Sequence, residues 1–295
     1  MTQPTFGARL RAAMDTHGPL CVGIDPHQQL VESWGLPYTL AGVERFALTC
    51  VEAFGGQVAC VKPQSAFFEV FGSRGVALLE RVQAGLREAG TLTILDVKRG
   101  DIGSTMTAYA EAFLGKDNPD AVDAITLSPY LGYGSLRPAI DLAQGTGRGV
   151  FVLGLTSNPE GAAVQHARVG GSAGGRSVAG EIVAGATADN AVARAAGELG
   201  SVGLVVGATI GSAVRDLGLD LPAMGGPLLA PGVGAQGGTA DTLRQVFGAA
   251  LPQVLPSSSR EVLGAGPDVA ALCEAARRTG EQLRQLVADA DPSGA

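Results

Sequence analysis

Short apolar runs alternate with stretches of helical period along most of the chain. Leu20–Ile24 (LCVGI) predicts a first strand, closed by Asp25-Pro26. Across Thr39–Phe54, residues Val43, Phe46, Ala47, Cys50, Val51 and Phe54 recur at the spacing of one helical face. Thr39 can cap that helix and Gly55-Gly56 can stop it. Val58–Val61 predicts a second strand that runs out at Lys62-Pro63, and Ser73–Ala89 a helix with Val76, Leu79, Val82 and Leu86 inward. A third strand opens at Leu92, after the Gly90 break, and Ser104–Leu114 is the helix behind it. The same alternation continues with strands over Asp123–Leu127, Gly149–Leu155, Val202–Val206, Pro227–Ala230 and Gln253–Pro256. Ser177–Leu199 and Thr239–Phe247 supply further helices.

Eight strands alternating with helices over 295 residues predict a closed parallel α/β barrel, the (β/α)8 TIM fold. An open doubly wound sheet would place a GxGxxG turn after the first strand, and none is there. No linker divides the chain. It reads as one domain over residues 1–288 with a loose tail, 289–295. One connection is oversized: about 158–200, with a glycine-rich part at Val169–Arg176. Such an insertion is a lid, an interface arm or a disordered surface loop.

Composition narrows the function. Hydrophobic residues make up 46% and charged residues 17%, enough for a large core, and 44 glycines with 5% aromatics predict tight turns and an aliphatic interior. A net charge of −7 argues against nucleic acid or an anionic membrane as partner. No run approaches the ~18 apolar residues of a membrane span, and the N-terminus lacks a signal-peptide core. The four cysteines form no CxxC pair, and with three histidines in the chain no zinc site is expected. These features predict a protein of the reducing cytoplasm, with its cysteines packed as small hydrophobes.

Charge then appears where buried strands should stay apolar. TLTILDVKRGDIGST (Thr91–Thr105) places Asp96, Lys98, Arg99 and Asp101 within six positions, and Asp96 and Lys98, two apart on a strand, share a face. Asp25, Lys62 and Ser157 follow the first, second and fifth strands; Pro231 with Gln236, and Ser259-Arg260, follow the seventh and eighth. In a parallel barrel these ends meet at one mouth, which is where such enzymes build their sites. The PGVGAQGG turn (Pro231–Gly238), with Gln236 as donor and an arginine on the next loop, suits a phosphate. No histidine or cysteine is aimed at that mouth, so the residues favour proton-transfer or carbanion chemistry run by lysine and carboxylate.

DVKRGDIGST fits the D-x-K-x-x-D-I signature of the orotidine 5′-phosphate decarboxylase family. GIDPH, CVKPQSAFFE, LTSNPEG, VVGAT and APGVGAQGG resemble other segments of that family in the same order, spanning roughly Gly23 to Arg260 and resembling its longer bacterial branch. The resemblance implies cofactor-free loss of CO2 from orotidine 5′-monophosphate, the last step of UMP synthesis, in a homodimer with shared sites. Lys62, Asp96, Lys98 and Asp101 would form its alternating charged tetrad, Lys98 protonating C6 and Asp101 entering the neighbouring subunit's site with Ile102 and Thr105. Asp25 resembles the ribose ligand, Ser157 the pyrimidine contact, and Pro231, Gln236, Ser259 and Arg260 line the phosphate end. TLSPYLG departs from the branch by carrying Ser128 where asparagine is expected. Two rivals stand beside this reading. One is a Mg2+-dependent sugar-phosphate decarboxylase or aldolase of the same barrel group, for which Glu69 and Asp123 are the spare carboxylates near strands 2 and 4. The other is a non-catalytic nucleotide-binding barrel.

Overall fold

The computed structural model describes residues 4–171, 175–234 and 237–289. Eight parallel strands close into one barrel, each paired with its sequence neighbours and β1 with β8: β1 (Cys21–Ile24), β2 (Cys60–Pro63), β3 (Leu92–Arg99), β4 (Ala124–Leu127), β5 (Gly149–Leu155), β6 (Val202–Val206), β7 (Leu228–Pro231) and β8 (Val254–Ser258). The predicted bounds of the fifth and sixth strands are reproduced. The second and eighth start later and run further than predicted, so Lys62 and Ser257 lie inside strands rather than after them. Pairing decides this. Val58 and Ala59 are buried, but the ladder begins only where Cys60 meets Cys21 and Leu92.

Strand alternation sorts the core into two layers. One residue from each strand (Cys21, Cys60, Ile94, Ala124, Phe151, Val205, Leu229 and Leu255) joins a single cluster inside the barrel. The intervening positions, such as Val22, Val61 and Leu95, pack outward against the helices. The N-terminal helix (Phe6–His17) was not among the predicted elements. Its Phe6, Leu10 and Met14 close the interior cluster from the floor, with Phe6 edge-on to Phe151 at 5.9 Å between ring centroids.

The helices over Leu40–Phe54 and Ser73–Glu88 match expectation, and the Thr39 hydroxyl caps the first by accepting from Gly42 N. In the second, Leu78 faces inward and Val76 is exposed, since the buried stripe runs Gly75, Leu78, Leu79, Val82, Leu86. The single helix expected over Ser177–Leu199 is two, Val178–Asp189 and Ala191–Ala195, with Asn190 between them. Asn190 turns inward, its amide donating to Val202 O at 2.8 Å and accepting from Val202 N at 3.1 Å, and so ties the break to β6. Upstream, Arg168 and Ser177 form a bridge across the base of the glycine-rich part, of which residues 172–174 lie outside the described residues. Of the expected tail, Asp289 ends the last helix (Val269–Ala288), and 290–295 lie outside the described residues.

Candidate active site

The inward-facing positions explain why the chemistry gathers at one end. Moving two residues toward the C-terminus from each core position gives Gly23, Lys62, Asp96, Thr126, Leu153, Gly207, Pro231 and Ser257. All but Gly23 line one cavity of about 640 Å3 at the mouth. Asp25, Lys98, Ser157, Ser259 and Arg260 line it from just beyond. Gly23 is bare for a reason: a Cβ there would sit 2.0 Å from Ser259 Oγ. The period of two that builds the core therefore also aims the polar side chains into the cavity.

Asp96 is the hub. Its Oδ2 accepts from Lys62 Nζ at 2.8 Å and Gln64 Nε2 at 3.0 Å, and its Oδ1 from Lys98 Nζ at 2.5 Å and Thr126 Oγ1 at 2.8 Å. Asp96 and Lys62 are buried, at 6% and 5% exposure, whereas the Lys98 side chain is 46% exposed to the cavity. Burial alone would raise the Asp96 carboxyl; the ammonium groups of Lys62 and Lys98 reverse this and hold it well below the usual carboxylate range. Burial would likewise lower the Lys62 ammonium, and the carboxylates of Asp25 and Asp96 instead hold it above the usual lysine range. These groups stay ionised because they face one another.

The backbone at Lys98 is unusual. Its φ is +46°, the only positive value at a non-glycine residue among those described, in a region that costs a side-chain-bearing residue about 1–3 kcal/mol. The β3–β4 register shifts across this point, from Leu95 opposite Ile125 to Arg99 opposite Leu127. Thr126 Oγ1 accepts from Lys98 N at 2.9 Å, and Arg99 donates to Glu69 at 2.9 Å while lying over the Tyr109 ring. Lys98 is thus pinned on both sides in a bend that carries its ammonium back toward Asp96.

Asp25 lines the cavity wall, and its buried Oδ1 has no hydrogen-bond partner among the described residues. Gln236 lies outside the described residues. The structure does not bring Asp101, Ile102 and Thr105 into this chain's own cavity. They follow β3 on an outer surface where Ile102 is 61% exposed, next to the loop after β4 with exposed Tyr130 and Leu131. Ser128 works through its backbone, its N–H donating to Arg99 O at 2.7 Å and its carbonyl leaving no room for a Cβ on Gly100.

Sequence reasoning missed Thr126 and Gln64. Thr126 had a signal, since a hydroxyl amid the apolar DAITL run on an inward position needs a buried partner. Gln64 had none beyond its place after Lys62-Pro63. Of the spare carboxylates, Asp123 sits before β4 at the opposite end of the barrel, paired with Arg9, and so cannot serve the mouth. Glu69 lines the cavity but accepts from both Ser65 and Arg99.

Comparison with known proteins follows the same outline. The model of the "Orotidine 5'-phosphate decarboxylase / HUMPS family" matches residues 18–275. A curated relative from Salinispora arenicola, named orotidine 5′-phosphate decarboxylase, is 62% identical over 93% of this chain and 95% of its own length. One of the same name from Streptomyces coelicolor is 59% identical over 96% and 98%. A crystal structure of a Streptomyces avermitilis protein superposes with a TM-score of 0.91 at 58% identity, covering 98% of both chains.

Proposed function

The chain belongs to the orotidine 5′-phosphate decarboxylase / HUMPS family and is a carboxy-lyase of pyrimidine biosynthesis, and on that premise we propose that it converts orotidine 5′-monophosphate to UMP and CO2 without a cofactor, Lys98 delivering the proton. The observation that carries this reading is the Lys62–Asp96–Lys98 array, with Lys62 and Asp96 buried and Lys98 reaching into the cavity, whose rim holds Ser259 and Arg260. A pure nucleotide binder has no need of two ammonium groups held on one buried carboxylate, since buried ion pairs contribute little net stability.

The chemistry needs such an array. When the bond from C6 to the carboxylate breaks, CO2 leaves and the electron pair stays on C6 in the ring plane, where no π-system delocalises it. Stabilisation must then be electrostatic. The Lys98 ammonium supplies it and transfers a proton to C6, completing UMP. Asp96 lies where the substrate carboxylate would be repelled, and Lys62 keeps Asp96 ionised for that role. The Asp25 carboxylate at the cavity wall suits a ribose hydroxyl, Ser157 the pyrimidine, and Ser259, Arg260, Gln236 and Pro231 the phosphate end. Binding the remote phosphate supplies energy that orients and desolvates the ring.

The working unit in this reading is a homodimer in the cytoplasm. Asp101, Ile102 and Thr105 enter the partner's cavity, in keeping with an apolar Ile102, Tyr130 and Leu131 on neighbouring loops. No helix among the described residues is long and apolar enough to cross a membrane. The test is a spectrophotometric assay of orotidine 5′-monophosphate loss with EDTA present. Turnover is expected; a folded protein that binds UMP without turnover would instead be a nucleotide binder. Absence of UMP binding as well would point to the sugar-phosphate branch, tested on sugar phosphates with added Mg2+. For the shared site, Lys98→Ala and Asp101→Ala proteins, each inactive alone, should regain partial activity once mixed and exchanged, and exchange without recovery would sink it.

A further inference from the structure

A second charged cavity, of about 270 Å3, lies at the opposite end of the barrel, beneath the first residues of β3. Three guanidiniums, Arg9, Arg87 and Arg148, line it against one carboxylate, Asp123. That carboxylate is committed: it pairs with Arg9 through Oδ1 and accepts from Thr93 N through Oδ2 at 2.9 Å. Arg87 and Arg148 have no acidic partner among the described residues. Each donates to one backbone carbonyl, of Ala121 at 3.2 Å and Val122 at 3.0 Å, and the rest of each fork is free. Desolvation, only partly offset by the pull of Asp123 and reinforced by the like charges of Arg9 and Arg87, leaves the Arg148 guanidinium below its usual range.

Gln83 adds an independent observation. It lines the same cavity at 4% exposure, and its amide makes no hydrogen bond among the described residues. An amide that opens onto the cavity without a protein partner, beside two arginine forks that meet only one carbonyl each, suits an acceptor-only ligand. The volume falls below the about 300–1,000 Å3 of sites for drug-sized ligands, so a whole nucleotide does not fit.

We propose that this floor cavity is an anion site for a compact phosphate, inorganic phosphate or pyrophosphate, held by Arg87, Arg148 and the Gln83 amide. The site is separate from the mouth and does not rest on the decarboxylase reading. Arg9 stays with Asp123, and the anion neutralises the two remaining cations. Its location ties it to β3, whose far end carries Asp96 and Lys98.

Calorimetric titration of the whole protein with inorganic phosphate and with pyrophosphate at low salt, with and without saturating UMP, tests this. The expected result is one anion per chain that UMP does not displace, with Kd below about 1 mM. Arg148→Gln and Arg87→Gln should each weaken it about tenfold, as loss of a charge-assisted contact predicts. Neither should change kcat. Arg87 is exposed, so its variant keeps the test valid if Arg148→Gln does not fold. Absence of UMP-insensitive binding, or unchanged affinity in the folded variants, would overturn the proposal. Tighter pyrophosphate than phosphate binding identifies the two-phosphate ligand; the reverse identifies the single phosphate.

Discussion

The barrel carries charge at both ends, and the two ends use it differently. At the mouth, cations converge on one carboxylate: two lysines, a threonine and a glutamine all donate to Asp96. At the floor, cations spread outward: Arg9, Arg87 and Arg148 reach for the backbone carbonyls of Gly147, Ala121 and Val122, and only Arg9 meets a carboxylate. The mouth is over-determined and the floor is under-neutralised. Convergence on a buried hub fixes the position and ionisation of each group, which the proposed reaction, run with no electron sink, requires. Dispersed arginines staple loops and leave field to spare. Charge in a barrel is therefore read by where its partners are, not by its amount.

The hardest way to break the mouth is to remove Lys98, the cation that the proposed reaction sets against the reacting carbon. Lys98→Ala should lower kcat by at least about 10³-fold, the combined scale of a lost general acid and a lost electrostatic donor. UMP affinity should change far less, because Arg260 and Asp25 are untouched. Single-turnover rates and UMP titration check this split, and unchanged turnover would take Lys98 out of the proton-donor role.

Removing the hub charge comes next. Asp96→Asn should lower kcat by about 10²-fold or more and, by leaving Lys62 buried with less compensation, lower unfolding free energy by about 3–5 kcal/mol at neutral pH. The pH dependence follows from the shifts. Asp96 titrates below its usual range, so its contribution is present above the unfolded carboxyl value near ~4 and is lost as pH falls through the lower folded value. Lys62 titrates above its usual range, so its contribution is full below the unfolded lysine value near ~10.4 and fades only as pH rises through the higher folded value. The stability gap between wild type and Asp96→Asn should thus be flat from about pH 5 to 9 and narrow below about 4. Urea melts across that range measure it, and a gap that closes near neutrality would contradict the paired assignment.

Much of the mouth was legible because a strand repeats every two residues. Once Asp96 and Lys98 were placed on one face, and Lys62 and Asp25 at other strand ends, the barrel's closure gathered them. What stayed hidden depended on registration between strands. Nothing local shows that Thr126 lands opposite Asp96, or that the chain bends at Lys98 with φ +46°. The floor was harder still. Phe6, Leu10 and Met14 sit in a helix whose charged positions masked its plugging face, and Arg87 and Arg148 lie 61 residues apart. Asp123, read beside the fourth strand as a metal candidate, belongs to the floor because β4 begins one residue later.

That floor position gives a control for the mouth. Asp123→Asn removes the only carboxylate among the described residues that faces the three arginines, and weakens the hold on Thr93 N. Unfolding free energy should fall by about 2 kcal/mol, the scale of a lost hydrogen bond to a charged group, with kcat unchanged. If the anion proposal holds, the UMP-insensitive phosphate affinity should rise at the same time. A fall in kcat without a fall in stability would mean that the two ends are coupled through β3 rather than separable.

The smallest expected effect sharpens the comparison most. Thr126→Val keeps shape and β-propensity while deleting a hydroxyl that donates to Asp96 and accepts from Lys98 N. Asp96 retains three other donors, so its ionisation survives, and the loss falls on the bend that aims Lys98. One to two modest hydrogen bonds correspond to about 1–2 kcal/mol, or a reduction in kcat of about tenfold with KM little changed. A purely structural role would appear instead as lost stability with kcat intact. If Thr126→Ser, which keeps the hydroxyl, restores turnover and Thr126→Val does not, then the hub positions Lys98 through its backbone as well as through its charge.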